Sequence, residues 1–387
     1  MHGGCDGLSQ LPDGHFLPPL PFTPGERHLQ SRIAAELGLP LIHSRGFRLH
    51  RQAGWPRSAS QGSTLARALA TGRTQVRSNA VVSHLLIRGD RAEGVVLVNG
   101  ATGAQERLSA PLVVLCASTI ETVRILLHSS EAHQSGGLID PSASLGRHLM
   151  DHISSSRFFS IAGVGPPQEE VELSGAGSCF IPNTVNLEPG SESDFQGGYG
   201  LWCALQRFDP PKLLQRRRGE AVGFLIGHGD VLPDPANQVT LNTNQLDAWG
   251  LPTVHINCRW GANEHRLLAH MHGRMEAVVA AAGGQIRPIE ELFVLPLLEP
   301  WLRTSLAVSP GAPPPGYYIH ELGGARMAAT AEGGVVNPLN QCWGAANVLV
   351  VDGACWPRAG WQSPTLTEMA ITWRACEAAA ERLRHGG

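Results

Sequence analysis

A buried strand followed by a long helix, near the carboxyl end of the chain, constrains the fold more than any other stretch. Val348–Val351 is a short, β-branched apolar run, which is typical of a central strand covered on both faces. The run stops at Asp352 and Gly353. Asp352 is therefore predicted at the carboxyl end of a strand, where open α/β sheets bind their ligands.

The final helix is predicted to begin at a capped N-terminus and to bury one face. Ser363 is a preferred N-cap residue, and Pro364 suits the first helical position. Thr365 and Glu368 have the spacing of a capping box. Apolar residues then recur at helical spacing and are predicted to form the core face: Leu366, Met369, Ala370, Trp373, Cys376, Ala380 and Leu383. The positive end of the helix dipole predicts an anion or an electron-rich ring above Asp352.

Segments upstream predict a second strand-to-helix switch and a separate sheet. Val113–Leu115 is another buried strand, and it ends close to Ala117 and Ser118 before a helical pattern. From about 151 to 316, alternating segments predict an antiparallel sheet, with Ala262–Ala282 as a long amphipathic helix across one face. The chain is therefore predicted to belong to the α/β class, or α+β overall.

Three ordered blocks carry a resemblance to a known family. They are His320-x-x-Gly-x-x-Arg-Met327, Asn347-Val-Leu-Val-Val-Asp-Gly353 and Ser363-Pro-Thr-Leu-Thr367. Together they resemble the C-terminal signature of the glucose-methanol-choline (GMC) flavoprotein oxidoreductases, and their fixed order over about 50 residues is far more specific than any block alone. Ala110–Leu127 and Leu145–His152 resemble two further blocks of the same family.

The resemblance implies an FAD-dependent oxidation of an alcohol CH–OH group to a carbonyl, with hydride transfer to the flavin. It implies His320 as the catalytic base, and histidine suits this task because its unperturbed pKa lies near neutrality. It implies Ser363 as the partner that binds the same substrate oxygen. The hydroxyl of Ser363 can serve as this ligand or as the helix cap, but not as both at once; the sequence leaves the choice open.

The same resemblance implies which residues contact FAD. The backbone at Val82 would meet the adenine. Ala117 and Ser118 would face the cofactor from the second strand-to-helix switch, with simple packing as the alternative role of both. The residues implied to hold the flavin ring and the ribityl chain are Asp352, Gly353, Pro364 and Thr365.

One expected part of a dinucleotide-binding domain is missing from the sequence. Such a domain needs Gly-x-Gly-x-x-Gly in its first βαβ unit, where the backbone approaches the pyrophosphate. The nearest candidate, Gly175-Ala-Gly177, lacks the third glycine and a following helix, so it is predicted to be a loop. We therefore expect this chain to hold the flavin-ring half of the site and to lack the N-terminal FAD-binding βαβ segment.

This expectation fixes the predicted domain organisation. A discontinuous substrate domain is built on the antiparallel sheet, and it interrupts a partial Rossmann-like FAD-binding domain. The predicted ranges are 1–62 for an irregular N-terminal segment that belongs to the interior of the family, 63–150 and 317–387 for the FAD-binding part, and 151–316 for the substrate domain.

Two interpretations of the function remain open at this point. In the first, the chain belongs to an enzyme that acts on a small-molecule alcohol, and the missing βαβ segment is encoded upstream in frame, in a shifted frame, or as a separate N-terminal FAD-binding polypeptide. In the second, the chain is a non-catalytic remnant or a ligand-binding module with a GMC-like fold.

Composition excludes several other classes of function. A formal net charge of -3 argues against a nucleic-acid partner, and no window of the sequence approaches a membrane span. The eight cysteines are scattered without a Cys-x-x-Cys pair, which predicts a reducing, cytoplasmic location and no zinc or disulfide framework. His148 and His152 stand four apart, but the glutamate of a zinc-protease helix is missing between them, so no metal site is predicted.

Overall fold

The structure is a computed structural model, and it describes residues 3–9, 11–46, 59–131, 137–165, 179–188, 194–207, 212–294, 311–318 and 320–385. The predicted loop at Gly175-Ala-Gly177 lies outside these residues. The chain divides into two compact units. Unit 1 spans Met1–Val76, Ile153–Gly229 and Ala262–Pro313, and unit 2 spans Arg77–His152, Asp230–Gly261 and Pro314–Gly387.

The α-helices of the described residues are α1 (Pro24–Leu37), α2 (Thr64–Ala70), α3 (Thr119–Glu131), α4 (Ala262–Ala281), α5 (Ile289–Leu292) and α6 (Thr365–Arg384). Short 3₁₀ helices lie at Ser60–Gly62, Lys212–Leu214 and Gly353–Cys355. The strands are β1 (Ile42–His43), β2 (Ala80–Arg88), β3 (Arg91–Asn99), β4 (Gln105–Ser109), β5 (Val113–Leu115), β6 (Ile153–Ile161), β7 (Cys179–Ile181), β8 (Tyr199–Leu205), β9 (Ala221–Gly229), β10 (Gln238–Leu246), β11 (Pro252–Asn257), β12 (Gly284–Ile286), β13 (Gln341–Cys342) and β14 (Ala345–Val350).

Unit 1 is built on a six-stranded antiparallel sheet with the order β1-β7-β8-β9-β6-β12. Helix α4 packs on this sheet over two glycines of β9. A Cβ atom at Gly227 would lie 2.3 Å from Sδ of Met271, and one at Gly229 would lie 2.4 Å from Cδ2 of Leu267. The absence of side chains at these two positions therefore lets the helix approach the sheet closely. The predicted mixed fold with an antiparallel sheet and a long helix is confirmed.

The N-terminal segment of unit 1 contains the helix that its sequence predicts over Gly25–Leu37 and a short edge strand. Thr23 caps α1 in a reciprocal capping box with Glu26, and β1 pairs with β7 at the edge of the sheet. The Glu26 carboxylate is fully buried and accepts hydrogen bonds from Nε and Nη2 of Arg207 at 2.8 and 2.5 Å. A buried ion pair thus ties the first helix to the segment that follows β8.

Unit 2 contains the strand-to-helix switches that the sequence predicts. Strands β5 and β14 pair in parallel, and β13 completes a three-stranded sheet with the order β13-β14-β5. A second three-stranded sheet has the order β2-β3-β4, and β10 and β11 form a separate hairpin. The sequence places this hairpin in the 151–316 segment with the antiparallel sheet, whereas the structure groups Asp230–Gly261 with unit 2.

The predicted core face of the last helix is wrong. Ala375 and Ala379 are the buried residues of α6, and they pack with Leu349 and Val351. Small side chains allow the helix to approach the strand closely, whereas the larger side chains turn outward. The exposed fractions of these side chains are 59% for Leu366, 55% for Met369, 72% for Trp373 and 49% for Leu383.

The predicted cap of the same helix is also not formed. Helix α6 begins at Thr365, and its N-cap is Pro364, with no side-chain hydrogen bond to the cap. Ser363 lies one residue before the cap and is exposed. Pro364 has the α-helical conformation itself, with φ of -75°, so the helical backbone begins directly after Ser363.

The buried ion pair of unit 1 is expected to dominate the stability of its N-terminal segment. Removing one partner leaves a buried charge without compensation, so Glu26→Ala should lower the free energy of unfolding by roughly 3–5 kcal/mol. Glu36→Ala is the matched control on the same helix, because its partner Arg32 is half exposed and such pairs contribute at most about 1 kcal/mol. Denaturant unfolding of both variants measures this, and equal losses would contradict the assignment.

Candidate active site

The carboxylate of Asp352 joins the two strand-to-helix switches of unit 2. Its Oδ2 accepts a hydrogen bond from Oγ1 of Thr122 at 2.5 Å, and its Oδ1 accepts one from the backbone N–H of Ala354 at 3.0 Å. The backbone N–H of Ser118 also donates to it. Burial raises the pKa of Asp352, and these hydrogen bonds oppose the rise by stabilising the charged form.

Gly353 occupies a position that no other residue fits. A Cβ atom there would lie 2.4 Å from Oγ1 of Thr119 and 2.7 Å from the carbonyl oxygen of Glu321. The carbonyl of Gly353 accepts a hydrogen bond from the backbone N–H of Gly323 at 2.8 Å. The turn after β14 therefore packs closely against the start of α3 and against the segment that carries His320.

The second switch and Val82 are held by neighbouring side chains. The backbone N–H of Ala117 donates to Oγ1 of Thr122 at 3.2 Å, and Ser118 has a left-handed backbone with φ of 74°. The carbonyl of Val82 accepts a hydrogen bond from Nη2 of Arg124 at 2.6 Å, so an adenine contact at this carbonyl would share it with Arg124. The FAD contacts of Val82, Ala117 and Ser118 stay predictions.

His320 is fixed in place through a neighbouring buried carboxylate. Asp151 is buried, and its Oδ1 accepts the backbone N–H of His320 at 3.3 Å. Its Oδ2 accepts the backbone N–H of Gly316 at 2.7 Å. Burial lowers the pKa of the His320 imidazole, which favours the neutral ring that a general base needs.

A second histidine, which the sequence did not single out for the active site, faces His320. Nδ1 of His152 lies 3.1 Å from Nδ1 of His320, with the rings nearly perpendicular at 82°. Nε2 of His152 lies 2.6 Å from the carbonyl oxygen of Gly360. Its only sequence signal was its place at the end of the Leu145–His152 block, where the spacing from His148 had drawn attention to metal binding instead.

The start of α6 lies close to Asp352 and presents an N-terminus without a side-chain cap. The pKa of Glu368, in the first turn of the helix, is raised by burial and by the negative charge of Asp352. Oγ1 of Thr372 donates to the carbonyl of Val351 at 3.0 Å. An uncapped helix N-terminus fits an anionic or electron-rich group. The flavin-ring contacts of Pro364 and Thr365 stay predictions.

The chain belongs to the GMC oxidoreductase family. The family model for the N-terminal GMC domain matches residues 35–154, and the model for the C-terminal domain matches residues 233–372. The second match contains all three C-terminal blocks from which the resemblance was drawn. The family assignment made from the sequence is therefore confirmed.

Curated relatives share modest identity with this chain. A 2-methyl-1,2-propanediol dehydrogenase from Mycolicibacterium austroafricanum is 25% identical over 325 residues, covering 80% of this chain and 54% of the relative. A fructose dehydrogenase large subunit from Gluconobacter japonicus is 24% identical over 298 residues, covering 72% of this chain and 49% of the relative. The chain thus spans about half the length of the curated relatives that it matches.

Solved structures show the same fold. Pyridoxine 4-oxidase from Mesorbium loti superposes with a TM-score of 0.59 at 18% identity, covering 94% of this chain and 71% of that one. An FAD-dependent oxidoreductase from Chaetomium thermophilum superposes with a TM-score of 0.58 at 14% identity, covering 95% of this chain and 73% of that one. The family is one of flavoproteins. No helix among the described residues is long and apolar enough to cross a membrane.

Acid should destabilise the protein through His152. Burial, together with the neighbouring His320, lowers the pKa of this histidine to about 4 from its ordinary 6.5. Unfolded chains bind this proton from about pH 6.5 downward, whereas the folded protein binds it only near pH 4. The stability that neutral His152 contributes is therefore present above pH 6.5 and is lost as the pH falls toward 4, by roughly 3 kcal/mol in total.

The measurement is the slope of unfolding free energy against pH between these limits. His152→Leu removes the titrating group, so the slope of this variant should be shallower than that of the natural protein by about one proton. Parallel slopes for the two proteins would show that His152 titrates normally in the folded state.

Proposed function

We propose that this chain forms the flavin-ring and substrate part of an FAD-dependent enzyme that oxidises an alcohol CH–OH group to a carbonyl. The observation that carries the proposal is the position of His320, a half-buried histidine beside the Asp352–Gly353 turn in a chain of the GMC family. Relatives named as dehydrogenases and oxidases of a diol, of C-glycosides and of fructose support it.

Each predicted residue has a role in this proposal. FAD, when bound, supplies the acceptor for the hydride of the alcohol carbon. His320 takes the hydroxyl proton, and the exposed hydroxyl of Ser363 binds the substrate oxygen, since this side chain does not cap α6. The residues that hold FAD are Asp352, Gly353, Pro364 and Thr365 at the flavin ring and ribityl chain, Ala117 and Ser118 at the second switch, and the Val82 backbone at the adenine.

The rival interpretation is a remnant or ligand-binding module that keeps the fold without the chemistry. Anaerobic mixing of the FAD-loaded protein, completed with its N-terminal FAD-binding segment, with a panel of diols and sugars distinguishes the two. Bleaching of the flavin absorbance by an alcohol supports the enzyme, and the same test repeated with oxygen separates an oxidase from a dehydrogenase. Bound flavin that no alcohol in the panel reduces would favour the binding module.

We also propose that the outward face of α6 is covered by the FAD-binding βαβ segment, on the same polypeptide or on a separate one. This face carries Leu366, Met369 and Trp373, all more than half exposed. Strand β5 is an edge of the parallel β5–β14 pair, and its Val114 is 37% exposed. A parallel strand pair is ordinarily covered on both faces. The exposure of this side of unit 2 therefore supports the proposal that the βαβ segment covers it.

The location of the protein is part of the same proposal. All eight cysteines are free thiols, including the buried Cys179 and Cys203 that lie directly opposite each other on β7 and β8. Thiols that remain unpaired are typical of a reducing compartment. This supports the cytoplasm as the place where the enzyme works.

His320→Gln should abolish most of the activity of the protein that has been completed with its N-terminal FAD-binding segment and loaded with FAD. Losing a general base lowers the rate by roughly two to four orders of magnitude, while flavin content should stay the same. His255→Gln is the control, because His255 lies exposed on β11. Steady-state rates of alcohol oxidation at equal flavin content are the measurement, and a rate unchanged in His320→Gln would remove this residue from the mechanism.

The chain purified alone should carry little flavin and bind apolar dyes. Without pyrophosphate contacts a flavin-ring site loses the phosphate anchoring at a helix N-terminus, and an uncovered apolar face attracts dyes. Trp373→Glu should reduce the dye fluorescence without changing thermal stability, because this side chain is 72% exposed. Trp249→Glu, at a residue that is 43% exposed in the β10–β11 turn, is the control. Stoichiometric FAD in the chain alone would contradict a missing βαβ segment.

A further inference from the structure

The contacts of the His152 and His320 rings determine which ring nitrogen of each residue carries a proton. A carbonyl oxygen can only accept a hydrogen bond. Because Nε2 of His152 lies 2.6 Å from the carbonyl oxygen of Gly360, this nitrogen must carry the proton. The carbonyl oxygen of Gly360 therefore fixes the protonation of one of the two ring nitrogens of His152.

The state of the other ring nitrogen follows from the charge of His152. Burial and the neighbouring His320 lower its pKa to about 4, so the ring is neutral near pH 7. A neutral imidazole carries one N–H and one lone pair. With the proton on Nε2, the lone pair of His152 must be on Nδ1.

The lone pair on Nδ1 of His152 determines which nitrogen of the His320 ring carries the proton. Nδ1 of His152 and Nδ1 of His320 are 3.1 Å apart, a distance at which one must donate to the other. Since Nδ1 of His152 can only accept, Nδ1 of His320 must donate. In the neutral ring of His320 the lone pair then lies on Nε2.

The nearby carboxylate does not take over this role. Asp151 accepts the backbone N–H of His152 at 2.7 Å and that of His320 at 3.3 Å on the same oxygen, Oδ1. Its other oxygen accepts the backbone N–H of Gly316 at 2.7 Å. Asp151 thus holds the two backbone segments side by side, and the ring of His320 faces a neutral histidine through Nδ1.

We propose that His152, oriented by the carbonyl of Gly360, is the positioning residue that fixes the tautomer of His320 with the proton on Nδ1 and the lone pair on Nε2. Nε2 is then the atom that receives the proton of the substrate hydroxyl, and this last step rests on the proposed function. The arrangement resembles the orienting partner of a catalytic histidine in hydrolases, with a neutral imidazole in place of the carboxylate.

The tautomer can be observed directly in the chain, with or without flavin. Histidine labelled with ¹⁵N on the ring gives an NMR pattern that distinguishes a proton on Nδ1 from one on Nε2, and the signal absent from His320→Gln identifies His320. The natural protein at pH 7 should show His320 protonated on Nδ1. A His320 protonated on Nε2 in this spectrum would overturn the inference without any variant.

Two substitutions at position 152 test the cause. His152→Leu removes the acceptor, so the His320 signal should move toward the Nε2-protonated form or a mixture. His152→Asn places an amide oxygen near the former position of Nδ1 of His152. This oxygen can accept a hydrogen bond, so the proton of His320 should stay on its Nδ1. A spectrum that does not change in His152→Leu would show that His152 does not set the tautomer. If His152 had only a structural role, His152→Leu and His152→Asn would change the His320 signal in the same way.

Kinetics separate this inference from the proposed function. In a serine protease a wrong tautomer costs about four orders of magnitude in kcat. His152→Leu leaves both tautomers of His320 accessible, so we expect a smaller loss of kcat, roughly one to two orders of magnitude, with partial rescue in His152→Asn. A tautomer that shifts in His152→Leu while kcat stays constant would support the positioning role and overturn His320 as the base.

Discussion

The buried carboxylate of Asp352 is the constraint on which the proposed site depends. It receives hydrogen bonds from the Thr122 hydroxyl and from the backbone N–H groups of Ser118 and Ala354. These donors come from the first turn of α3, from the loop before it and from the turn after β14. One carboxylate thus joins the ends of both strands by hydrogen bonds. The backbone of Gly353 can lie against the segment that carries His320 because glycine has no side chain to collide with it.

Sequence reasoning succeeded where a pattern reports burial along a single element. The strands ending at Leu115 and Val350, the helix after Ser118 and the long helix at Ala262 follow from periodicity, and the spaced blocks led to the family. It failed for α6, because an apolar stripe on a helix does not say which protein layer covers it. The alanines at 375 and 379 pack on the sheet, while the larger stripe that includes Trp373 faces outward.

The role of His152 was hidden for a different physical reason. Its hydrogen-bond partners, the carbonyl of Gly360 and the ring of His320, lie 208 and 168 residues away along the chain. No local pattern encodes such a meeting. The geometry also shows why two histidines so close together are compatible: burial favours a neutral His152, so a single N–H between the two Nδ1 atoms satisfies both rings.

The buried pair of Glu26 and Arg207 has a consequence for how the protein is made. Its partners are separated by 181 residues, and the ribosome adds about 5–20 residues each second, so the glutamate waits roughly 10–40 s for its arginine. During that interval α1 exists with a carboxylate that is destined for the interior and has no counter-ion. Unit 1 therefore cannot close around its first helix during early synthesis, and a chaperone has a defined period in which to act.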